Sequence, residues 1–272
     1  MLLKKLAIIT LTEEGLKTAQ RIEKGIKPAS SIYVFRKVEK DIFLADSNTS
    51  THITYFSDPL HQLINRIFEK YDGFVFVMAM GIVVRVIASH IHDKFTDPAI
   101  VVVDDVGRFV ISMLSGHEGG ANQLSHTIAA VLRTDAVITT GTEAQRDIIV
   151  GIGCKKGVFG EDVKKSVLDA LQRVNLKIEQ VRLLSTIDIK SEEPGLLQAS
   201  EELNIPLRVI SMSEIAACVK EHGKSNFVKE KMGVWGVCEP AALIAGRKTQ
   251  LILTKQKYPG VTIAIARENF MW

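Results

Sequence analysis

Apolar residues along the chain fall into two recurring patterns, which predict two kinds of element. Short unbroken apolar runs fit strands covered on both faces, and longer stretches with apolar residues three and four apart fit one-sided helices. Leu6–Leu11 (LAIITL) reads as a first strand. Thr12 follows as a helix N-cap, with Glu13 and Glu14 in the first turn of EEGLKTAQRIEKGI. Ser31–Arg36 predicts a second strand, Asp41–Ser57 an irregular polar stretch and His61–Tyr71 a helix. Gly73–Met80 (GFVFVMAM) and Ala99–Asp105 (AIVVVDD) are the strongest strands, with a short helix or turn at IVVRVIASHI between them. The turn Asp104–Gly107 closes a hairpin onto Arg108–Leu114. A glycine-rich junction then opens a helix that runs to about Arg133, and AVITT gives a further strand.

The cycle starts again after Asp147. IIVGIGCKKG predicts a strand and a glycine-rich turn, Glu161–Val174 a helix, and Val181–Lys190 a strand entering a loop. GLLQASEELN, MSEIAACVKE and AALIAGR predict helices, and PLRVIS a strand. LILTKQKYPGVTIAIARE predicts a terminal hairpin turning at Tyr258-Pro259-Gly260. The expected fold class is therefore α/β: two α/β domains with mostly parallel sheets flanked by helices, residues 1–146 and 147–272.

Composition narrows the function classes. Hydrophobic residues make up 46% and charged residues 24% of 272, a globular balance. The 34 basic and 31 acidic residues leave a net charge of +3. That is too small an excess for the basic patch of a nucleic-acid binder, so no nucleic-acid partner is expected. The first apolar run is too short to span a membrane and lacks a signal-peptide pattern, which predicts no membrane partner and a cytoplasmic location. Cys154, Cys218 and Cys238 are scattered and odd in number, so neither a disulfide framework nor a zinc site is expected.

The junction Ser115-Gly116-His117-Glu118-Gly119-Gly120-Ala121-Asn122 concentrates chemistry between a strand and a helix. Glycines there let backbone approach a ligand, and the helix start offers unpaired N–H groups and partial positive charge. His117 offers an imidazole to a ligand or a water, and the amides of Gly119 or Gly120 could hold an oxyanion. A tight helix entry with a solvent-facing histidine explains the same residues equally well. Gly151, Gly153 and Lys155 in GIGCKKG suggest a carboxylate or phosphate clasp, against a plain turn with solvated lysines. Asp188 and Lys190 stand at a strand end, the ligand-facing end in α/β sheets, though helix capping is an equal reading. Cys154 has no recognisable partner base, and His90 and His92 have no further ligands, so no protein-bound metal is expected.

These motifs together resemble the cobalt-precorrin-5A hydrolase family of anaerobic cobalamin biosynthesis. The resemblance runs through Gly81, Arg85, the DKxxDPA segment Asp93–Ala99, Asp104, the SGHxGGAN segment Ser115–Asn122, and Thr139-Thr140. It continues in GIGCKKG, STIDIKSEEPGLL, the V-x-E-x-A-A-L segment Val237–Leu243 and the LTKQK…VTIAIAR ending. The chain departs from the family where TTGTEAQRD passes almost directly into IIVGIGC, with little or none of the central region many members carry. Glu143 also stands where an aspartate is usual.

The resemblance implies an enzyme that opens the δ-lactone of cobalt-precorrin-5A and releases acetaldehyde to give cobalt-precorrin-5B. It implies no cofactor, because the cobalt is part of the substrate. Other corrin-pathway enzymes are further candidate partners. Arg85, Lys94, Asp97, Ser115, Gly116, Gly119, Gly120 and Asn122, with Gly151, Gly153, Lys155, Asp188 and Lys190, become candidate substrate-binding residues. His117 and Glu118 become the candidate catalytic pair, with cobalt ligation an alternative role for His117. The competing reading is a non-catalytic corrinoid-binding or carrier protein. A nucleotide-binding reading ranks last, because no full G-x-G-x-x-G with its downstream acid is present.

Overall fold

The computed structural model describes residues 3–36, 52–215 and 237–269, and the chain divides into two compact units, 1–140 and 141–272. Unit 1 carries a seven-stranded sheet in the order β3-β2-β1-β4-β5-β6-β7. Its strands are β1 (Lys5–Thr10), β2 (Ala29–Phe35), β3 (His52–Phe56), β4 (Gly73–Val77), β5 (Ala99–Val103), β6 (Phe109–Leu114) and β7 (Asp135–Val137). β1 to β5 are parallel. β6 reverses against β5, pairing Ile100 with Leu114 and Val103 with Val110, and β7 runs parallel to β6. β3 corrects the sequence reading of an irregular 41–57 at residues 52–56; residues 37–51 lie outside the described part.

The helices of unit 1 are α1 (Glu13–Gly25), α2 (Leu60–Ile67), α3 (Met80–Ile87) and α4 (Ala121–Leu132). α1 starts where Thr12 was expected to cap it: the Thr12 hydroxyl accepts the Gly15 amide at 3.0 Å. α1 and α4 cover one face of the sheet, burying Ile22, Leu124 and Ile128 against Ile8, Val75 and Val101. α2 and α3 cover the other, with Ile64, Val83 and Ile87 against Ile9, Phe74 and Val102. Every residue of β4 and β5 is buried, as their unbroken apolar runs required. Each valine, isoleucine or phenylalanine side chain among them, removed from water, stabilises the fold by about 1.5–3 kcal/mol before entropy is counted.

Unit 2 begins with the short helix α5 (Gly141–Ala144) and carries a five-stranded sheet in the order β10-β9-β8-β12-β11. β8 (Ile148–Cys154), β9 (Val181–Ile187) and β10 (Leu207–Ile210) are parallel. β11 (Thr249–Tyr258) and β12 (Val261–Glu268) form the terminal hairpin, with Gly260 at φ 75° in its turn and β12 antiparallel to β8. α6 (Gly160–Arg173) and α7 (Pro194–Leu203) pack on one face, and α8 (Cys238–Ile244) on the other. The helix expected from residue 212 onward passes outside the described residues at 216.

α8 packs on β8 with almost no separation. A Cβ on Gly151 would lie 1.9 Å from the Cys238 carbonyl oxygen and 2.7 Å from the Ala242 nitrogen. Only glycine admits that approach.

Candidate active site

The reversal of β6 decides where the glycine-rich junction lies. β6 leaves the sheet at the edge where β5 enters, and β7 leaves at the same edge. Three segments remote in sequence are thereby joined: Asp93–Pro98 before β5, Ser115–Gly120 after β6, and Thr139-Thr140 after β7. This edge is the carboxyl end of β6 and β7 and the amino end of β1–β5.

Side-chain bonds join the three segments. Lys94 Nζ donates to Glu118 Oε1 at 3.0 Å. The Asn122 amide donates to Thr140 Oγ1 at 3.1 Å, while its carbonyl accepts the Ser112 hydroxyl at 2.7 Å. Its backbone amide donates to Gly116 O at 2.9 Å. The Asp93 carboxylate accepts the Phe95 amide at 2.8 Å, and its carbonyl accepts the Asp97 amide at 2.8 Å, so the 93–97 turn is closed from within. Lys94, bonded to its carboxylate, holds Glu118 below the usual carboxylate range, aided by Glu118's own backbone amide and by His117. Glu118 is thus a durable anion beside an exposed imidazole.

α4 opens at Gly120, at φ 87°, with no side-chain cap and no acidic residue in its first turn. Its partial positive charge therefore meets no carboxylate of its own first turn. Ser115 has φ 56°, in the left-handed region. Its carbonyl accepts the amides of Gly119 at 3.1 Å and Ala121 at 3.2 Å.

Several expectations are corrected by this geometry. The Gly119 amide is spent on Ser115 and is not a spare oxyanion donor. Asn122 is buried and holds the junction together rather than facing a ligand. Asp97 is likewise buried, both its carboxylate oxygens accepting the His92 amide at 3.1 Å, so it braces the turn. Arg85 does not join the cluster. α3 starts at the exit of β4, the opposite sheet edge, and the Arg85 guanidinium folds back onto Gly81 O at 2.7 Å. Asp104 accepts the Phe109 amide at 2.7 Å and Arg108 Nε at 3.2 Å, fixing the hairpin turn. His90 stacks on Phe68 at 4.8 Å and bonds Asn65 at 2.8 Å, a packing role.

In unit 2, Gly151 and Gly153 are buried strand positions facing α8, which corrects their reading as a carboxylate clasp. The glycine of the turn is Gly157, at φ 76°, whose amide donates to Glu193 at 2.7 Å. Lys155 is exposed at the same sheet edge, with its backbone amide on Gly260 O at 2.9 Å. Asp188 accepts the Met212 amide at 3.2 Å and so ties two strand exits together. Burial pushes the Cys154 thiol up, and the Glu193 charge adds to the shift while Lys190 opposes it. A protonated thiol is a poor nucleophile. Glu193, in the polar stretch that follows Lys190 in the sequence, is buried before Pro194 of α7.

Among the described residues there is no group of three or more His, Cys, Asp or Glu arranged to hold a metal ion, and no helix is long and apolar enough to cross a membrane.

The cobalamin synthesis G N-terminal family model matches residues 62–143, and the cobalamin synthesis G C-terminus model matches residues 148–266. The chain is 35% identical to a cobalt-precorrin-5A hydrolase of Salmonella typhimurium, covering 96% of this chain and 97% of that protein. The chain belongs to the cobalt-precorrin-5A hydrolase family. A second relative of that name in the family, from Priestia megaterium, is 25% identical over 96% of this chain and 94% of its own length. A crystal structure of a cobalamin biosynthesis protein G homolog from Sulfolobus solfataricus is 21% identical, covering 97% of both chains with a TM-score of 0.37. The Salmonella alignment spans 352 positions against 272 residues here, so at least 80 of its positions have no counterpart in this chain.

Proposed function

We propose that the chain is a cobalt-precorrin-5A hydrolase whose reaction site is the edge of unit 1 formed by Asp93–Pro98 and Ser115–Gly120. The observation that carries the reading is the match to a hydrolase of that name over nearly the whole of both chains. The bonded Lys94–Glu118 pair beside His117 supports the choice of site.

In this reading His117 takes a proton from water as general base. The hydroxide adds to the lactone carbonyl carbon. The ionised Glu118 stabilises the imidazolium that forms. The Gly120 amide, which has no partner among the described residues, and the uncapped start of α4 stabilise the oxyanion. The tetrahedral adduct expels the ring oxygen, which completes opening of the lactone. The freed alkoxide collapses to the aldehyde as the adjoining carbon–carbon bond breaks. The bond's electron pair passes to the macrocycle and takes up the proton held by the His117 imidazolium, and acetaldehyde departs, leaving cobalt-precorrin-5B. Cobalt belongs to the substrate in this scheme.

The test is anaerobic incubation with cobalt-precorrin-5A, following acetaldehyde and the macrocycle's absorbance together. Stoichiometric aldehyde with a spectral change supports the hydrolase. A spectral change without aldehyde overturns it in favour of a non-catalytic corrinoid carrier, the reading that the 80 or more positions without counterpart favour.

A further inference from the structure

Ser115 is an unfavourable residue in two independent ways. Its φ of 56° belongs to the left-handed region, which disfavours any side chain with a Cβ. The residue is 6% exposed, and its Oγ is buried with no hydrogen-bond partner among the described residues. Glycine would remove both penalties. The backbone role of Ser115 needs no hydroxyl, because its carbonyl alone accepts the amides of Gly119 and Ala121. Strain and an unpaired buried polar group persist where a site uses them.

The position of the hydroxyl points to that use. Ser115 stands at the end of β6, two residues before His117. Its Cβ lies against Gly119, where an added Cβ would come within 2.5 Å. The side chain is therefore packed against Gly119 of the 116–120 segment, which contains three glycines and carries His117 and Glu118. Glycine lets such a segment take other backbone conformations, at the cost of the Gly119–Ser115 and Asn122–Gly116 hydrogen bonds.

We infer that the Ser115 hydroxyl is a hydrogen-bond donor to the substrate's lactone oxygen, reached when substrate moves the 116–120 segment. The inference rests on the hydrolase reading and deepens it: Ser115 distinguishes the lactone from the opened product. The hydroxyl finds its partner in the loaded state, which offsets its cost in the free protein.

The test compares S115A and S115G with the wild type, using turnover, melting temperature, and absorbance titration with cobalt-precorrin-5A and cobalt-precorrin-5B. Both variants are expected to melt no lower than the wild type, and kcat/KM falls about tenfold, the size of one hydrogen bond. The Kd for the lactone rises about tenfold, again one hydrogen bond, and the Kd for the lactone-free product stays unchanged. Unchanged kcat/KM, or a falling Tm with equal losses toward both ligands, overturns the inference. If the wild type binds the lactone without releasing aldehyde, the hydrolase reading fails alone, and the ratio of the two Kd values still decides the role of Ser115. If the wild type binds neither compound, both fall.

Discussion

His117 and Glu118 are neighbours in the chain but stand in unequal electrostatic settings. Glu118 is bonded to Lys94, which keeps it ionised and makes it a weak proton acceptor, so the proton falls to His117. His117→Ala is expected to lower kcat about 10²–10⁴-fold while leaving the Kd for cobalt-precorrin-5A near the wild-type value, measured by aldehyde release and titration. Lys94→Met tests the partner. With the ammonium gone, the Glu118 carboxyl returns toward its ordinary, higher range. Its protonation then begins at higher pH, read by NMR titration of the Glu118 carboxyl. A titration unmoved from that of the wild type would show that Lys94 does not hold Glu118 ionised. Fold stability is expected to change little, since the pair is solvent-exposed and screened. The residue types of this cluster were legible in the sequence. Their pairing was not, because Lys94 and Glu118 are 24 positions apart and meet only through the β5–β6 reversal.

At the scale of elements, two junctions decide the design. Asn122 links β6, the glycine junction and the exit of β7 through three hydrogen bonds. Asn122→Ala strands the Ser112 and Thr140 hydroxyls and is expected to cost about 1–3 kcal/mol, read by denaturant unfolding. The β8–α8 contact is the second junction. Gly151→Ala places a methyl group against the Cys238 carbonyl and is expected to cost about 1–3 kcal/mol by overpacking. A Gly151→Ala protein as stable as wild type would show that α8 yields easily. The strands at Gly73 and Ala99 were legible because unbroken apolar runs suit only a strand covered on both faces. β3 was missed because His52-Ile53-Thr54-Tyr55-Phe56 borders a polar stretch, and its pairing with β2 supplies what the local pattern lacks.

For the whole molecule, the separate sheets and cores predict where damage spreads. Unit 1 buries Val75, Val101 and Ile128; unit 2 buries Val150, Leu184 and Ile263. Native-state amide exchange of Gly151→Ala is expected to quicken through β8, β9 and β12 and to stay unchanged in β1, β4 and β5. Quickening in both sets would mean that the two units open as one cooperative body.

By itself, the sequence determined the α/β alternation, the Thr12 cap, the terminal hairpin and the segments that carry chemistry. These depend on local periodicity, turn residues and capping, which are written within a few positions of each other. Tertiary structure alone decided which of the motif residues work together. The antiparallel turn of β6 brings Lys94 to Glu118 and leaves Arg85 at the opposite edge. Burial turns Asp97 and Asn122 into braces, and α8 claims the space beside Gly151. Each of these outcomes depends on what stands opposite a residue across a sheet or beneath a helix, and contacts between distant segments are not encoded in local spacing.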